Sequence, residues 1–139
     1  MILFVDDEKQ YIENIITELE SLGIEVTFCA GVDEALNRIR SGERSIDAIV
    51  CDVMMPHGSA FSAAQTEDNK IAGLVFLADL RQRGVNLPVV LLTNLESGRA
   101  PVDETARQYS PCVVIRKRDK WSFEIAEIIG KLLKYGRFQ

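Results

Sequence analysis

A chain of 139 residues has the length of one domain with room for a real core. Its 47% apolar and 27% charged residues exclude a disordered segment, and a net charge of −5 makes unaided nucleic-acid binding a poor fit. No apolar run nears the roughly 20 residues of a membrane-spanning helix, and Met1 leads straight into a strand, which leaves no place for a signal peptide.

Strand one is predicted over Ile2–Val5 and runs into Asp6 and Asp7. Helix one follows, with Ile12, Ile15, Ile16, Leu19 and Leu22 in one stripe and Gly23 as its terminator. Strand two covers about Glu25–Cys29, and helix two carries Ala35, Leu36 and Ile39 before Ser41 and Gly42 stop it. Strand three, Ile46–Cys51, delivers Asp52. Helix three runs from Leu74 to about Arg83, and strand four, Pro88–Leu92, ends at Thr93. Helix four, Pro101 to Tyr109, has few apolar residues; strand five is Cys112–Ile115, with Lys117 just beyond it. Helix five opens near Trp121 with Ser122 as the expected N-cap, and turns Ile125, Ile128, Ile129, Leu132 and Leu133 inward. Five alternations of strand and helix predict an α/β fold: a five-stranded parallel sheet with helices on both faces, doubly wound and flavodoxin-like, in one domain over residues 1–139.

One connection breaks the rhythm. Links of this kind usually run 2–6 residues, yet about twenty separate Asp52 from helix three. The polar, alanine-rich stretch His57 to Ile71 reads as an inserted loop at about 57–72: an enlarged loop, a lid or a partner-docking element. The cysteines Cys29, Cys51 and Cys112 fit no metal spacing, and their odd number argues against a disulfide framework. They read as small buried hydrophobes in a reducing cytoplasm.

Parallel strands would bring Asp6, Asp7 and Asp52 to the carboxyl edge of the sheet, where open α/β sheets bind ligands. Clustered carboxylates repel, so one must be protonated or a hard cation must sit among them. Oxygen ligands without histidine favour Mg²⁺ over zinc. Each residue alone has a plainer reading. Asp6 and Asp7 suit a helix N-terminus, Thr93 an ordinary strand-end hydroxyl, and Lys117 a surface charge. The basic run from Arg116 to Lys120 suits a solvated corner. His57 has no partner at metal-ligand spacing and reads as exposed.

Taken in order, Asp6-Asp7, Asp52 followed by Val53-Met54-Met55-Pro56, strand-end Thr93 and strand-end Lys117 resemble the receiver domain of bacterial two-component response regulators. The resemblance spans nearly the whole chain. It implies that Asp52 is the phosphoacceptor, and that Asp6, Asp7, Asp52 and the backbone carbonyl of Met54 hold Mg²⁺ or Mn²⁺. Lys117 and Thr93 would serve the phosphoryl oxygens, because transfer to a weak carboxylate nucleophile rests on positioning and charge neutralisation. It further implies a signalling domain that promotes only its own phosphorylation and dephosphorylation. The phosphoryl group would come from a sensor histidine kinase or phosphotransfer protein. The output would be an altered surface for a downstream protein, with a homodimer left open and no direct contact with nucleic acid or membrane.

Three departures bear on that resemblance. Arg118 follows Lys117 where the family has a proline in cis; a non-proline cis bond costs about 3–4 kcal/mol, so a trans bond and a re-aimed Lys117 are expected. Val114 stands where the family has a rotating aromatic, and Asn94 where it favours a small residue. The catalytic set is thus intact and the transmission set altered, which shifts the expected activation change to the 57–71 segment, anchored by Phe61. Met54 and Leu95, both apolar, flank the expected path of an attacking water and predict a long-lived phosphoryl group.

Rival classes fare worse. A haloacid-dehalogenase-type phosphohydrolase needs an acid at position 54, which is Met. A flavodoxin-like nucleotide site would be repelled by Asp6-Asp7-Glu8. The remaining alternative is a receiver-like interaction module that is not phosphorylated.

Overall fold

The computed structural model describes residues 1–42, 45–94, 101–118 and 120–136. Five short apolar segments form one parallel sheet: β1 (Ile2–Val5), β2 (Val26–Cys29), β3 (Ala48–Asp52), β4 (Val89–Thr93) and β5 (Cys112–Arg116). Their order is β2-β1-β3-β4-β5. Chain direction across the sheet therefore reverses between β1 and β3, and a crevice opens at the carboxyl ends of those two strands.

Register makes that crevice chemical. Val5 pairs with both Cys29 and Cys51, so Asp6 leaves β1 level with Asp52. Asp52 pairs with Leu92 and Thr93 with Arg116, so Thr93 and Lys117 emerge in the next layer. Four strand ends thus deliver their polar residues to one edge.

Side chains alternate across the sheet, as strand geometry requires. Ile2, Phe4, Val50 and Leu92 pack with Ile12, Ile15, Leu19, Ile125 and Ile129, which come from α1 (Lys9–Ser21) and α5 (Ser122–Tyr135). Leu3, Val5, Ile49, Cys51 and Leu91 pack on the opposite face with α2 (Val32–Ser41), α3 (Ala72–Gln82) and α4 (Val102–Gln108). All three cysteines are free and buried. The expected fold is the observed one. Local corrections are small: Leu22 lies just past α1 and is 55% exposed, so it drops out of the apolar stripe. Ser122 is the first helical residue of α5, not its cap; the Glu124 carboxylate accepts the Trp121 N–H at 3.1 Å instead. α4 buries Val102 and Ala106, in line with its sparse apolar pattern.

The 57–71 segment is packed and tied. Phe61 joins the core beneath α2 and α3, and Thr66 is fully buried with its hydroxyl donating to the Ser62 carbonyl at 2.9 Å. Asp33, in the first turn of α2, accepts the N–H groups of Ser59 (2.7 Å) and Ala60 (3.0 Å). Asn69 accepts the His57 N–H at 2.9 Å. Glu67, Asp68 and Asn69 all adopt positive φ, a sharp left-handed bend that returns the chain toward α3.

Candidate functional site

Burial decides the electrostatics of the strand-end cluster. Asp6 is 2% exposed, and loss of solvent pushes its carboxyl up to about 6. The Glu8 N–H, donating to Asp6 Oδ1 at 2.9 Å, and the Lys117 ammonium pull the other way, while Asp52 and Asp7 add to the rise. That Glu8 contact is a local turn just before α1, whose first turn carries no acidic residue, so the acid pair does not sit in the helix N-terminus. Asp52 is half-buried, and desolvation raises its carboxyl as well. Opposing that rise are the Lys117 ammonium, 3.3 Å from Oδ2, and the N–H groups of Val53 (2.7 Å) and Met54 (3.4 Å) at Oδ1. Thr93 is 1% exposed, and its carbonyl accepts the Lys117 N–H at 2.9 Å, which continues the β4–β5 ladder to the lysine itself.

These groups border a cleft of about 610 Å³. Asp7, Glu8 and Asp52 bring its acids, Lys117 and Lys120 its ammonium groups, and Thr93, Asn94 and Ser122 its neutral polar groups. Tyr11 and Met54 also line it and are 68% and 49% exposed. Behind Asp52 the chain is closed by Gly73, whose N–H donates to the Val53 carbonyl at 2.9 Å. A Cβ at Gly73 would run into the Asp52 carbonyl oxygen and come within 2.8 Å of Val53 Cα. Of the two glycines that follow Met-Pro, Gly73 is therefore the one that the Asp52 turn requires. Gly58 answers a different need: with φ +65°, it lies against the Asp33 carboxylate.

Among the described residues, no three His, Cys, Asp or Glu side chains enclose an ion as they stand. The donor set nevertheless suits a hard divalent cation. It is oxygen-only, and the carboxylates of buried Asp6 and half-buried Asp52 have ionised forms that are disfavoured until positive charge arrives.

Asp7, Asp52, Met54, Thr93 and Lys117 all border the one cleft, and Asp6 is buried beside it within electrostatic reach of Asp52 and Lys117. The expected re-aiming of Lys117 is not found. The cis peptide among the described residues is Ser110–Pro111, so the Lys117–Arg118 bond is trans, yet Nζ still reaches Asp52. The solvated reading of the basic run is also corrected: Arg116 clasps Asp103 of α4 with both nitrogens (3.2 and 2.8 Å), and Lys120 borders the cleft. His57 is half-buried, with Nδ1 2.6 Å from the Gly58 carbonyl. Leu95 lies outside the described residues. Sequence reasoning missed Lys120 and Asp33. Spacing of three from Lys117 was a signal for Lys120; Asp33, 26 residues before Ser59, left none.

The sequence model for the response regulator receiver domain matches residues 2–114. Among solved structures, the chain is similar to the Francisella response regulator 1452 receiver domain, at 27% identity and a TM-score of 0.73 over 98% of each chain. It is also similar to response regulator TrrA of Thermotoga maritima, solved in complex with Mg²⁺-BeF, at 27% identity and a TM-score of 0.65 over 94% of this chain and 96% of that one. A receiver domain protein from Clostridium thermocellum matches at 22% identity and a TM-score of 0.68, over 98% of this chain and 95% of that one, and speaks for the fold alone. A search of curated proteins finds no match.

Proposed function

The chain belongs to the response regulator receiver domain family, and from that premise we propose that it accepts a phosphoryl group on Asp52 with the help of a divalent cation and thereby changes a partner-binding surface. The observation that carries this reading is the Lys117 ammonium, 3.3 Å from Asp52 Oδ2 in spite of the missing proline. An Asp52 oxygen attacks phosphorus as the donor's bond to phosphorus breaks, and the leaving group departs with the electron pair. Lys117 shifts from the free carboxylate to a phosphoryl oxygen, and the Thr93 hydroxyl donates to another. Oxygens of Asp6, Asp7, Asp52 and the Met54 carbonyl would hold Mg²⁺ or Mn²⁺, which offsets charge on the transferring group. Met54 cannot hydrogen-bond an attacking water, which favours a long-lived phosphoryl group.

Within this reading the chain acts on no substrate but itself, and the donor is a sensor histidine kinase or phosphotransfer protein. A downstream protein reads the altered surface. No described helix is long and apolar enough to cross a membrane.

The interaction-module reading keeps one argument, the absence of a rotating aromatic at Val114 and of proline after Lys117. Incubation with acetyl phosphate and Mg²⁺, followed by intact mass, separates the two. One added phosphate in the wild type and none in Asp52→Asn is the expected result. A gain that persists in Asp52→Asn removes the assignment, and no gain in the wild type favours the module.

A further inference from the structure

Lys117 is already engaged at Asp52, but a second lysine, Lys120, lines the same cleft and is paired with no carboxylate among the described residues. The Lys120 N–H donates to the Lys117 carbonyl at 3.1 Å, and the turn that this bond closes sets the two lysines on one cleft. Lys120 Nζ makes a long 3.4 Å contact to the Arg116 carbonyl, which uses one of its three N–H donors. Among the described residues no carboxylate is paired with it, although Asp7, Glu8 and Asp52 border the same space. At about 610 Å³ the cleft also has room for more than a phosphoryl group. A lysine there, without a carboxylate partner among the described residues, suits a ligand whose second end is anionic.

We propose that Lys120 is a specificity-determining residue that receives the leaving carboxylate of small acyl phosphates. The inference rests on the Asp52 phosphoacceptor reading and adds the donor's other end. As the Asp52–phosphorus bond forms, the bond from phosphorus to the acyl oxygen breaks, and its electron pair stays on that oxygen. The departing group is a carboxylate anion, no proton is required, and the Lys120 ammonium meets the developing charge. The Ser122 hydroxyl, which borders the same cleft, is a second donor within the pocket. Phosphoramidate differs at this point: its nitrogen is protonated before the phosphorus–nitrogen bond breaks and leaves as neutral ammonia, so no anion forms for Lys120 to meet.

The test compares acetyl phosphate with phosphoramidate, both with Mg²⁺, on the wild type, Lys120→Gln and Lys120→Arg, with intact mass as the readout. Lys120→Gln should lower the ratio of the acetyl phosphate rate to the phosphoramidate rate about fivefold, the size of one strong, partly exposed ion pair. Lys120→Arg should keep the ratio near the wild-type value, and added salt should shrink the difference between wild type and Lys120→Gln. An equal fall with both donors would assign Lys120 to the phosphoryl group or to folding and overturn the proposal; so would an unchanged ratio. A wild type inert to both donors removes the phosphoacceptor reading and this inference together. A reactive wild type whose ratio ignores residue 120 removes this inference alone.

Discussion

Toward β1 and the β3–α3 connection, Asp52 neighbours two tightly enclosed residues, Asp6 at 2% exposure and Gly73 against the Asp52 carbonyl. The chain runs on into a 57–71 segment that is largely solvent-facing but tied down by Asp33, Phe61, Thr66 and Asn69. Toward β4 and β5 the side-chain ties among the described residues include two ion pairs. Lys117 meets Asp52 at 3.3 Å, and the start of α4 is tied to β5 by the Arg116–Asp103 pair, whose side chains are 28% and 40% exposed. The difference separates two jobs. In the proposed function, the enclosed side keeps the acids and the nucleophile in position, where small misplacements are costly. In the same reading, the side held by partly exposed charges is the one whose balance a phosphoryl charge would tip, since a switch needs an element with two nearly balanced states.

Four changes would break or sharpen that contrast. Gly73→Ala should be the most damaging, destabilising by about 3 kcal/mol or more, because the added carbon must displace the Asp52 backbone in a tightly packed turn. A urea melt within about 0.5 kcal/mol of wild type would mean that the β3–α3 side is softer than its packing implies.

Asp6 should come next. Its carboxyl rises from 3.8 unfolded to about 6 folded, so the folded state binds the extra proton between those values. The associated stability is fully present below 3.8 and is lost as pH rises through about 6, by about 3 kcal/mol in the metal-free protein. Asp6→Asn removes the titration, so it should be more stable than wild type at pH 7 by about that amount, and Mg²⁺ should narrow the gap. Thermal melts at pH 4 and 7 that give the same difference between the two proteins would refute the assignment.

Asp33→Ala should cost about 2 kcal/mol through two lost hydrogen bonds to a charged acceptor. Faster amide exchange confined to about residues 57–71 is the expected signature. The smallest effect belongs to Asp103→Asn, under about 1 kcal/mol for a partly exposed pair. Beryllofluoride, a phosphoryl mimic, should then sharpen the comparison. Exchange should change more over 101–116 than over 57–71, because α4 is tied to β5 through a partly exposed ion pair next to Lys117, whereas 57–71 is tied by Asp33 and Asn69 away from the cleft. Sequence alone directs that expectation to 57–71; the hydrogen bonds of Asp33 and Asn69 are the reason to move it.

What the sequence determined by itself is the part governed by short-range pattern. Five apolar runs, each followed by a helical stripe, dictate a parallel sheet, and strand-end positions at Asp6, Asp52, Thr93 and Lys117 follow once the strands are parallel. The tertiary structure decided the rest. Whether Lys117 reaches Asp52 across a trans peptide, whether Lys120 faces solvent or the cleft, and whether 57–71 is loose or fixed all depend on partners far away in the chain. A polar, alanine-rich segment has no periodicity to read, because its order comes from a carboxylate on α2 and from single buried side chains rather than from a repeating apolar face. Pattern records which face of an element is buried; it does not record which distant side chain will supply a hydrogen bond.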